Sequence, residues 1–298
     1  MHVHHLNCGC MCPWGGRLWD GASSGLSGRL VCHCLLIETN QGLVLIDTGF
    51  GTRDVAAPYE RVSPLFIQMN RIRFDWRFTA LAEVEARGFS ARDVRHIVLT
   101  HLDFDHAGGL EDFPDATVHV MQDEVDAARS RDGFIARRRY APDQWDDVRH
   151  WHFHSGDGER WFGFEAVRDL PGLPPEILMI PLAGHTEGQA GVAIETPQGW
   201  LLNAGDAYFH RHEMDRHPHC TPGLAAYQRM MEVDREERLA NQDRLRELSH
   251  QRRGVRIFCS HDPIEYEALV QLSVPTGAPS MAAPSVRSRE AGVATSLS

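Results

Sequence analysis

The chain of 298 residues is long enough for one large folded domain, and its hydrophobic fraction of 42% and charged fraction of 24% are typical of a globular protein. Its formal net charge is -11, and no basic face dominates the chain. Because phosphate binding needs such a face, we expect no nucleic-acid partner. No secretory leader opens the sequence, and no apolar run approaches the roughly 18 residues that would span a bilayer, so a cytoplasmic protein without a membrane partner is expected. A homo-oligomer is left open.

The first third of the chain predicts a hairpin, a helix and a buried strand. The β-rich segments RLVCHCLLIET and LVLIDTG flank the turn NQG, and the second segment ends at Asp47 and Gly49. Residues 54–78 are expected to be irregular, with the apolar stretch SPLFIQMNRIRF either in the core or forming a flap over a site. TALAEVEARGF has helical spacing and a stop at Gly88, and VRHIVLT follows as a buried strand.

The seven cysteines are predicted to be packed free thiols, because an odd number suits a reducing compartment better than a disulfide framework. Cys8, Cys10 and Cys12 alternate along the chain, as do Cys32 and Cys34, so each set shares one face of an extended strand. These gaps are shorter than those of ordinary zinc sites. A soft-metal or redox site is the alternative.

The rest of the chain alternates strands and helices around an irregular section. ATVHVMQ predicts a strand and DEVDAARS a helix, whereas residues 131–160 are expected to be irregular. The basic run Arg137–Arg139 is interpreted as a solvated helix face or loop rather than an anion site. Residues 225–251 predict a charged helix. Residues 1–272 are predicted to form one domain and residues 273–298, rich in Ser, Ala, Pro and Gly, a disordered tail.

Four predicted strands end by presenting a histidine or an aspartate. VRHIVLT leads into HLDFDHAGG, EILMIPLAG into His185, GWLLNAG into Asp206 and VRIFCS into His261. Loops that follow the strands of layered α/β proteins usually carry the functional residues. A single histidine in such a loop is most often structural, but together the loops supply seven imidazole and carboxylate side chains: His101, Asp103, Asp105, His106, His185, Asp206 and His261.

These seven groups suffice for two divalent metal ions, each with three terminal ligands and both sharing one carboxylate. Borderline divalent metals prefer this mixture of nitrogen and oxygen donors, and open coordination positions would take water. Two bridged ions would lower the pKa of the water between them, which predicts a hydroxide nucleophile near neutral pH.

The segments THLDFDHAGG, GHTEGQAG, LLNAGDA and CSHD, together with LIDTG, resemble the motifs of the metallo-β-lactamase-fold hydrolases over about residues 30–265. The resemblance implies an α/β fold, a four-layer αβ/βα sandwich with its site along one edge of two facing sheets. TALAEVEARGFSARDVRHIVLTH is most similar to the acyl-homoserine lactonase and related esterase branch. The implied function is that of a metal-dependent hydrolase whose metal-bridging hydroxide attacks a lactone, ester or related carbonyl of a small-molecule substrate.

The resemblance also implies a ligand set for two divalent ions, with zinc expected first and iron or manganese as alternatives. The first ion would be bound by His101, Asp103 and His185, and the second by Asp105, His106 and His261. Asp206 would bridge the two ions. Asp105 is also predicted to be catalytic. Asp47, on the neighbouring hairpin, is expected to orient a ligand histidine.

The family usually has a histidine where this chain has Asp103, and three interpretations stay open. In the first, Asp103 is an anionic ligand that shifts preference from zinc towards iron or manganese; the flavodiiron branch of the fold carries an acidic residue here. In the second, the side chain is too short and the first metal binds weakly or not at all. In the third, the site is degenerate and the fold serves binding.

Two alternative functions follow from these interpretations. One is a di-iron redox enzyme that reduces oxygen or nitric oxide, which needs an electron donor, and no flavodoxin-like sequence follows His261. The other is a non-catalytic metal-binding protein of the same fold.

Tyr208, two residues after Asp206, is predicted to assist at the oxyanion, with packing at a strand end as the alternative. Lactonase-like relatives place a tyrosine three residues after this aspartate, where the chain has Phe209. The histidines of residues 210–219 are expected to be solvated loop residues near the mouth of the site.

Overall fold

The computed structural model describes residues 1–156, 158–167, 170–251 and 254–273, and it confirms the predicted α/β class. The predicted disordered tail lies outside the described residues apart from Ser273, where the last helix ends.

Within these ranges the strands are β1 His2–Met11, β2 Leu30–Thr39, β3 Gly42–Ile46, β4 Ile72–Arg73, β5 Val94–Val98, β6 Thr117–Met121, β7 Trp151–His154, β8 Glu159–Trp161, β9 Phe164–Ala166, β10 Ile177–Pro181, β11 Ala190–Thr196, β12 Gly199–Asn203 and β13 Val255–Phe258. The α-helices are α1 Arg17–Asp20, α2 Thr52–Ala56, α3 Pro58–Arg61, α4 Pro64–Asn70, α5 Ala80–Ala86, α6 Gln122–Ser130, α7 Ala136–Arg139, α8 Pro222–Met231, α9 Arg235–Gln251 and α10 Pro263–Ser273. Short 3-10 helices span Trp76–Phe78, Ala91–Asp93, Leu110–Asp112, Pro142–Gln144 and Arg211–Met214.

The strands form two main sheets. The first has the strand order β4-β1-β2-β3-β5-β6-β7 and the second has the order β10-β11-β12-β13, while β8 and β9 form a separate small hairpin. β2 and β3 make the predicted antiparallel hairpin, and β3, β5, β6 and β7 run parallel to one another. Because parallel neighbours point the same way, the loops that leave their carboxyl ends collect at one edge of the sheet.

The two sheets face each other across one apolar layer. Ile37, Val44 and Val98 of the first sheet pack in one cluster with Met179 and Val192 of the second. Residues one position along these strands point to the opposite faces, as the alternation of a β-strand requires. Each sheet is therefore buried on both sides, which explains the nearly continuous apolar runs in the sequence.

Helices cover the outer faces of both sheets. On the first sheet, Leu45 of β3 packs with Val84 of α5 and Val125 of α6. On the second sheet, Leu178 of β10 packs with Leu245 of α9. The order of helices, sheet, sheet and helices is the four-layer αβ/βα sandwich that the resemblance implied.

Residues 54–78 are mostly helical, so the prediction of an irregular segment was wrong. The helices α2, α3 and α4 have seven residues or fewer, too few to give a clear 3.6-residue apolar period. Pro58 and Pro64 begin α3 and α4, where a fixed φ and a missing N–H fit the first helical turn. Phe66 and Ile67 are buried, which makes this stretch a core element.

The section 131–160 is also more ordered than expected, because it contains α7, a 3-10 helix and β7. All seven cysteines are free, and five of them are buried, as packed thiols should be. No helix in the described part of the chain is long and apolar enough to cross a membrane.

Candidate metal centre

The four predicted strand ends meet at one edge of the sandwich. β10 and β12 are both antiparallel to β11, and β12 is parallel to β13, so the carboxyl ends of β10, β12 and β13 point the same way. The loops after them carry His185, Asp206 and His261, and the loop after β5 of the other sheet carries His101 and His106. Their convergence follows from the parallel strand order and was predicted from the sequence.

A close contact between the two sheets brings these loops together. The backbone N–H of Ala190 in β11 donates to the carbonyl of Thr100 over 2.8 Å. Gly205 has a positive φ of 56°, and a Cβ there would lie 3.0 Å from the Cβ of Thr100. The glycine before Asp206 therefore allows the β12 loop to approach the HLDFDH loop.

Asp206 lies between two groups of histidines, and Nε2 of each ring faces its carboxylate. Its Oδ2 is 3.4 Å from Nε2 of His185 and 3.8 Å from Nε2 of His101. Its Oδ1 is 3.5 Å from Nε2 of His106 and 3.1 Å from Nε2 of His261, which also lies 3.2 Å from Oδ2. In each group, the possible ligand atoms lie within 4.8 Å of one another. We call the group of His101, His185 and Asp206 the first position, and the group of His106, His261 and Asp206 the second position.

Asp105 lies at the second position, with Oδ2 3.6 Å from Nε2 of His261. The buried Cys32 joins it there, because the thiol, Asp105 and His261 form a further group within 4.8 Å. The sequence had suggested a soft metal as an alternative use of these cysteines, and the structure places one of them against the centre. A separate, more exposed group of His2, His4 and Glu38 lies on β1 and β2.

Hydrogen bonds on the outer ring nitrogens fix the orientation of His101, His106 and His261. Nδ1 of His261 donates to the carbonyl of Val31 over 2.7 Å, and Nδ1 of His101 lies 2.9 Å from the Thr100 hydroxyl oxygen. The Thr100 hydroxyl itself donates to Asp47, so it accepts from His101. The hydrogens are thus held on Nδ1, and the Nε2 lone pairs face the centre.

Asp47 organises the same loop from the neighbouring hairpin. Its carboxylate accepts the backbone N–H and the hydroxyl of Thr100, each over 2.8 Å, and it lies 3.0 Å from Nδ1 of His106. Asp47 has a left-handed φ of 57°, a conformation that a side chain adopts at some energetic cost. The predicted contact between Asp47 and a histidine of this loop is therefore present.

The unpaired atoms of the centre fit a divalent cation. Among the described residues, Nε2 of His101, Nε2 of His106 and Oδ1 of Asp206 are buried and have no hydrogen-bond partner. Buried polar atoms are nearly always paired, so such atoms need an explanation. Imidazole nitrogens and carboxylate oxygens that face one another are the donor set of zinc and similar metals.

Asp103 has a partner that the sequence did not predict. Its Oδ1 accepts from Nε of Arg139 over 2.7 Å, and its Oδ2 accepts from Nη2 over 2.8 Å. Arg139 is only 1% exposed, so the interpretation of Arg137–Arg139 as a solvated run was wrong for this residue. The carbonyl of Arg139 also accepts the N–H of Phe104, which fixes α7 against the HLDFDH loop.

Burial and the neighbouring charges set the protonation of the centre. Burial alone would raise the pKa of Asp103, but the Arg139 guanidinium holds that pKa well below its usual range. Burial, followed by the charge of Arg139, lowers the pKa of His185 to about 4, so its ring is neutral at pH 7. Burial opposes the charge of His261 at Asp206, yet His261 and His106 together keep the pKa of Asp206 low. Asp103 and Asp206 are therefore ionised where a cation would bind, whereas burial raises the pKa of Asp105.

A narrow pocket opens onto the centre. It has a cavity volume of about 10 Å³, which is room for about one water molecule. The carboxylates and imidazoles of the centre form its floor, and its walls are mainly apolar: Met11, Trp19, Leu30, Phe209, Leu224 and Tyr227. A substrate larger than water requires the side chains at the mouth to move.

Tyr208 does not line this pocket. Its side chain is fully buried in the cluster on the outer face of the second sheet, and its hydroxyl donates to Glu265 over 3.0 Å. These contacts correspond to the packing alternative, and the predicted oxyanion role has no contact in its favour. Phe209 instead stacks on the His261 ring with centroids 5.4 Å apart. His210 is buried, contrary to the expectation for residues 210–219.

The sequence analysis missed several residues of the site, among them Trp19, Asn70, Tyr227 and Arg139. The Tyr227 hydroxyl accepts a 3.4 Å hydrogen bond from Nδ2 of Asn70, which leaves its own proton free to donate into the pocket. These residues come from segments far apart in the chain, and no local pattern marks them.

A family model described as the metallo-beta-lactamase superfamily matches residues 27–250. The chain belongs to this superfamily. A probable metallo-hydrolase of Mycobacterium tuberculosis is 39% identical over 267 residues, which cover 89% of this chain and 81% of that protein. An N-acyl homoserine lactonase of Bacillus cereus is 27% identical over 182 residues, covering 58% of this chain and 62% of that protein.

Solved structures of lactonases share the same fold. An N-acyl homoserine lactone hydrolase with the product N-hexanoyl-L-homoserine bound at its catalytic metal center superposes with a TM-score of 0.66 at 21% identity, covering 90% of this chain and 97% of that one. The dizinc quorum-quenching lactonase AidC gives a TM-score of 0.59 at 18% identity, covering 88% and 87%. The superfamily match ends before His261, which the fold returns to the centre from β13.

Proposed function

We propose that this member of the superfamily is a metal-dependent hydrolase of a lactone or another small carboxylic ester. The observation that carries the proposal is the position of the Asp206 carboxylate, which lies 3.4 Å from Nε2 of His185 in one histidine group and 3.1 Å from Nε2 of His261 in the other. The names of the relatives support it, since they include a probable metallo-hydrolase and N-acyl homoserine lactonases. The fold neighbours with a product at a catalytic metal center and with two zinc ions support it as well.

The chain offers two places for divalent ions, with zinc expected first and iron or manganese as alternatives. The first position would use His101 and His185, and the second would use Asp105, His106 and His261, with Asp206 shared between them. A divalent ion bound there would lower the pKa of a coordinated water and polarise the carbonyl oxygen of an ester.

The side chains around the pocket perform the remaining steps. Asp105 borders the pocket beside His261 and is placed to accept the proton of the attacking water and to pass it to the leaving alkoxide. The Tyr227 hydroxyl, which accepts from Asn70, is placed to donate to the oxyanion that forms at the carbonyl. In this proposal Tyr227 performs the role that the sequence suggested for Tyr208.

The pocket favours a neutral carbonyl substrate over a phosphoester. Among the described residues that line it, none is a lysine or an arginine, whereas Asp103, Asp105 and Asp206 all contribute to it. A phosphoester would bring a negative charge towards these carboxylates. The apolar walls, including Leu30 and Leu224, suit an acyl group.

The test is hydrolysis of three substrates by protein stripped with a chelator and then reloaded with zinc, manganese or iron. The substrates are N-hexanoyl-homoserine lactone, p-nitrophenyl acetate and bis-p-nitrophenyl phosphate. The proposal expects ester or lactone hydrolysis that disappears with chelation and returns with metal, and little phosphodiester hydrolysis. Ester hydrolysis that is indifferent to chelation, or a clear preference for the phosphodiester, would contradict it.

The di-iron redox alternative depended on an acidic ligand at position 103. Both oxygens of Asp103 are held by Arg139, so that alternative has no contact in its favour.

A further inference from the structure

We propose that Arg139 is the resident cation of the first position, and that the protein works with one tightly held divalent ion at the second position. The inference rests on the proposed metal chemistry, and it concerns how that metal is distributed. It is based on four features of the Arg139 guanidinium: how it binds Asp103, how it is anchored, how it meets His185, and where its charge lies.

The guanidinium and the Asp103 carboxylate form a bidentate pair. Nε and Nη2 of Arg139 donate to Oδ1 and Oδ2 of Asp103 over 2.7 and 2.8 Å. This is the strongest and most directional arrangement available to these two groups. Asp103 lies 3.5 Å from Nε2 of His101 and 3.2 Å from Nε2 of His185, where the family's usual histidine would serve a metal. Its charge is already matched by the arginine.

The guanidinium is also anchored to the backbone of two other segments. Nη1 donates to the carbonyl of His185 over 3.0 Å and to the carbonyl of Met231 over 2.8 Å. Both contacts are buried, and the carbonyl of Arg139 itself accepts from Phe104. Moving the arginine aside to admit an ion would break these contacts and leave Asp103 buried without a partner, which is costly.

The arginine also occupies the ligand nitrogen of the first position. Nη2 of Arg139 lies 2.8 Å from Nε2 of His185. An arginine can only donate, so the His185 nitrogen accepts with the lone pair that a metal would need. Nε2 of His101 and Nε2 of His106 have no hydrogen-bond partner among the described residues, so the positions differ at their other histidine: Nε2 of His185 meets the Arg139 cation, whereas Nε2 of His261 meets the Asp206 carboxylate.

The charges around the two positions also favour a cation at the second position over the first. The first position has the guanidinium within hydrogen-bond distance of one of its histidines, so a divalent ion there would meet a fixed positive charge. The second position has the carboxylates of Asp105 and Asp206 next to its histidines. Both attraction and lone-pair availability therefore favour the second position.

The metal content of four proteins tests the inference. Wild type, Arg139→Met, Asp103→Asn and the double variant Asp103→His/Arg139→Met are loaded with zinc, dialysed against a weak chelator and measured by mass spectrometry. Cobalt absorption spectra of the same proteins report the number of occupied positions without using activity. Arg61→Met is the matched control, because Arg61 is also buried and pairs with Asp54 over 3.4 Å outside the centre.

We expect about one retained ion in wild type, Asp103→Asn and Arg61→Met, because none of these changes frees the first position. We expect about two ions in the double variant, which removes both charges and restores a neutral ligand set. Because it leaves neither charge buried without its partner, the double variant tests the inference even where a single variant fails to fold. Arg139→Met should rise towards about two ions, because it releases both Asp103 and His185.

Two tightly held ions in wild type, with a loss in Asp103→Asn, would overturn the inference, because Asp103 would then be a ligand. A double variant that folds and still retains one ion would also overturn it. No retained metal in any of the proteins would contradict the proposed hydrolase function itself, which is a different result.

Discussion

Two of the clusters of largely buried histidines among the described residues differ in their chemistry, and of these the candidate metal centre alone has ring nitrogens that face a carboxylate. The second is a row on neighbouring strands of the first sheet, which we call the histidine chain: His96 of β5, His119 of β6 and His154 of β7. Nδ1 of His96 lies 3.0 Å from Nε2 of His119, and Nδ1 of His119 lies 3.0 Å from Nε2 of His154. Each ring therefore has another ring as its partner.

The difference lies in the lone pairs and the carboxylates. In the metal centre, Nδ1 hydrogens bind outward and leave Nε2 of His101 and His106 unpaired around Asp206. In the histidine chain, the ring nitrogens pair with each other. Among the described residues, no group placed to hold an ion includes a member of the histidine chain. A cluster of imidazoles can bind a metal ion only where its ring nitrogens keep lone pairs that have no other partner, and in the candidate centre a carboxylate faces those lone pairs as well.

The largest expected effect comes from removing Asp206, the carboxylate for which the histidine chain has no counterpart. Asp206→Ala should lose bound metal and lower ester hydrolysis on the order of 10³-fold, because both histidine groups depend on it. Metal analysis and kcat/KM measure this. Asp262→Asn is the control, because Asp262 pairs with Arg211 over 3.0 Å rather than facing the centre. Equal losses in the two variants would show that Asp206 has no special role.

Tyr208, which follows β12, and Tyr227 of α8 provide the next test. Tyr227→Phe should lower kcat about 10²-fold with little change in KM or metal content, since it removes one donor to the oxyanion. Tyr208→Phe removes only a hydrogen bond to Glu265 and should leave kcat nearly unchanged. The opposite ranking of the two variants would return the oxyanion role to Tyr208.

Asp47 contacts Nδ1 of His106, on the side of the ring away from the candidate metal position. Asp47→Asn keeps the size of the side chain but removes the charge that holds Nδ1 of His106. Zinc affinity at the second position should fall about 10- to 100-fold, measured by competition with a chromophoric chelator. An unchanged affinity would mean that the strained φ of Asp47 serves the fold alone.

The ligand loops could be predicted because their placement follows from strand direction. His185, Asp206 and His261 each follow a strand, and parallel order brings those ends to one edge. The short helices over residues 54–78 could not be predicted, because one or two turns leave no periodic signal. Both results depend on how many neighbouring residues a sequence pattern must span before it can be recognised.

The partner of Asp103 was beyond the sequence for a different reason. Arg139 is 36 positions away, in a four-residue helix that contains three consecutive arginines, and only tertiary packing decides which of the three is buried. An aspartate in place of a histidine indicates that the charge must be matched, but a metal ion and a guanidinium meet that need equally well. Only the structure separates them.

The histidine chain should have its own signature in acid. Burial, followed by the charges of neighbouring histidines, lowers the pKa of His119 from 6.5 to about 3. Protonation therefore favours the unfolded chain, so the stability from the neutral ring is present above pH 6.5 and is lost as the pH falls towards 3. The free energy of unfolding of metal-stripped protein, measured with urea, should therefore fall by up to about 1.4 kcal/mol per pH unit in this range because of His119.

His119→Phe should flatten that slope, and His150→Phe, at an exposed histidine, should not. Metal content should be unchanged in both variants. A His119→Phe protein that lost metal would break the distinction between the two clusters.

Anomalous X-ray diffraction at the zinc edge, from crystals grown with zinc, tests the distinction between the two clusters most directly. The account predicts a strong peak about 2.0–2.1 Å from Nε2 of His106 and of His261, the distance at which zinc binds imidazole, with a carboxylate oxygen of Asp206 beside it. It predicts no peak at His96, His119 and His154. Zinc density on the histidine chain, or none beside Asp206, would contradict it.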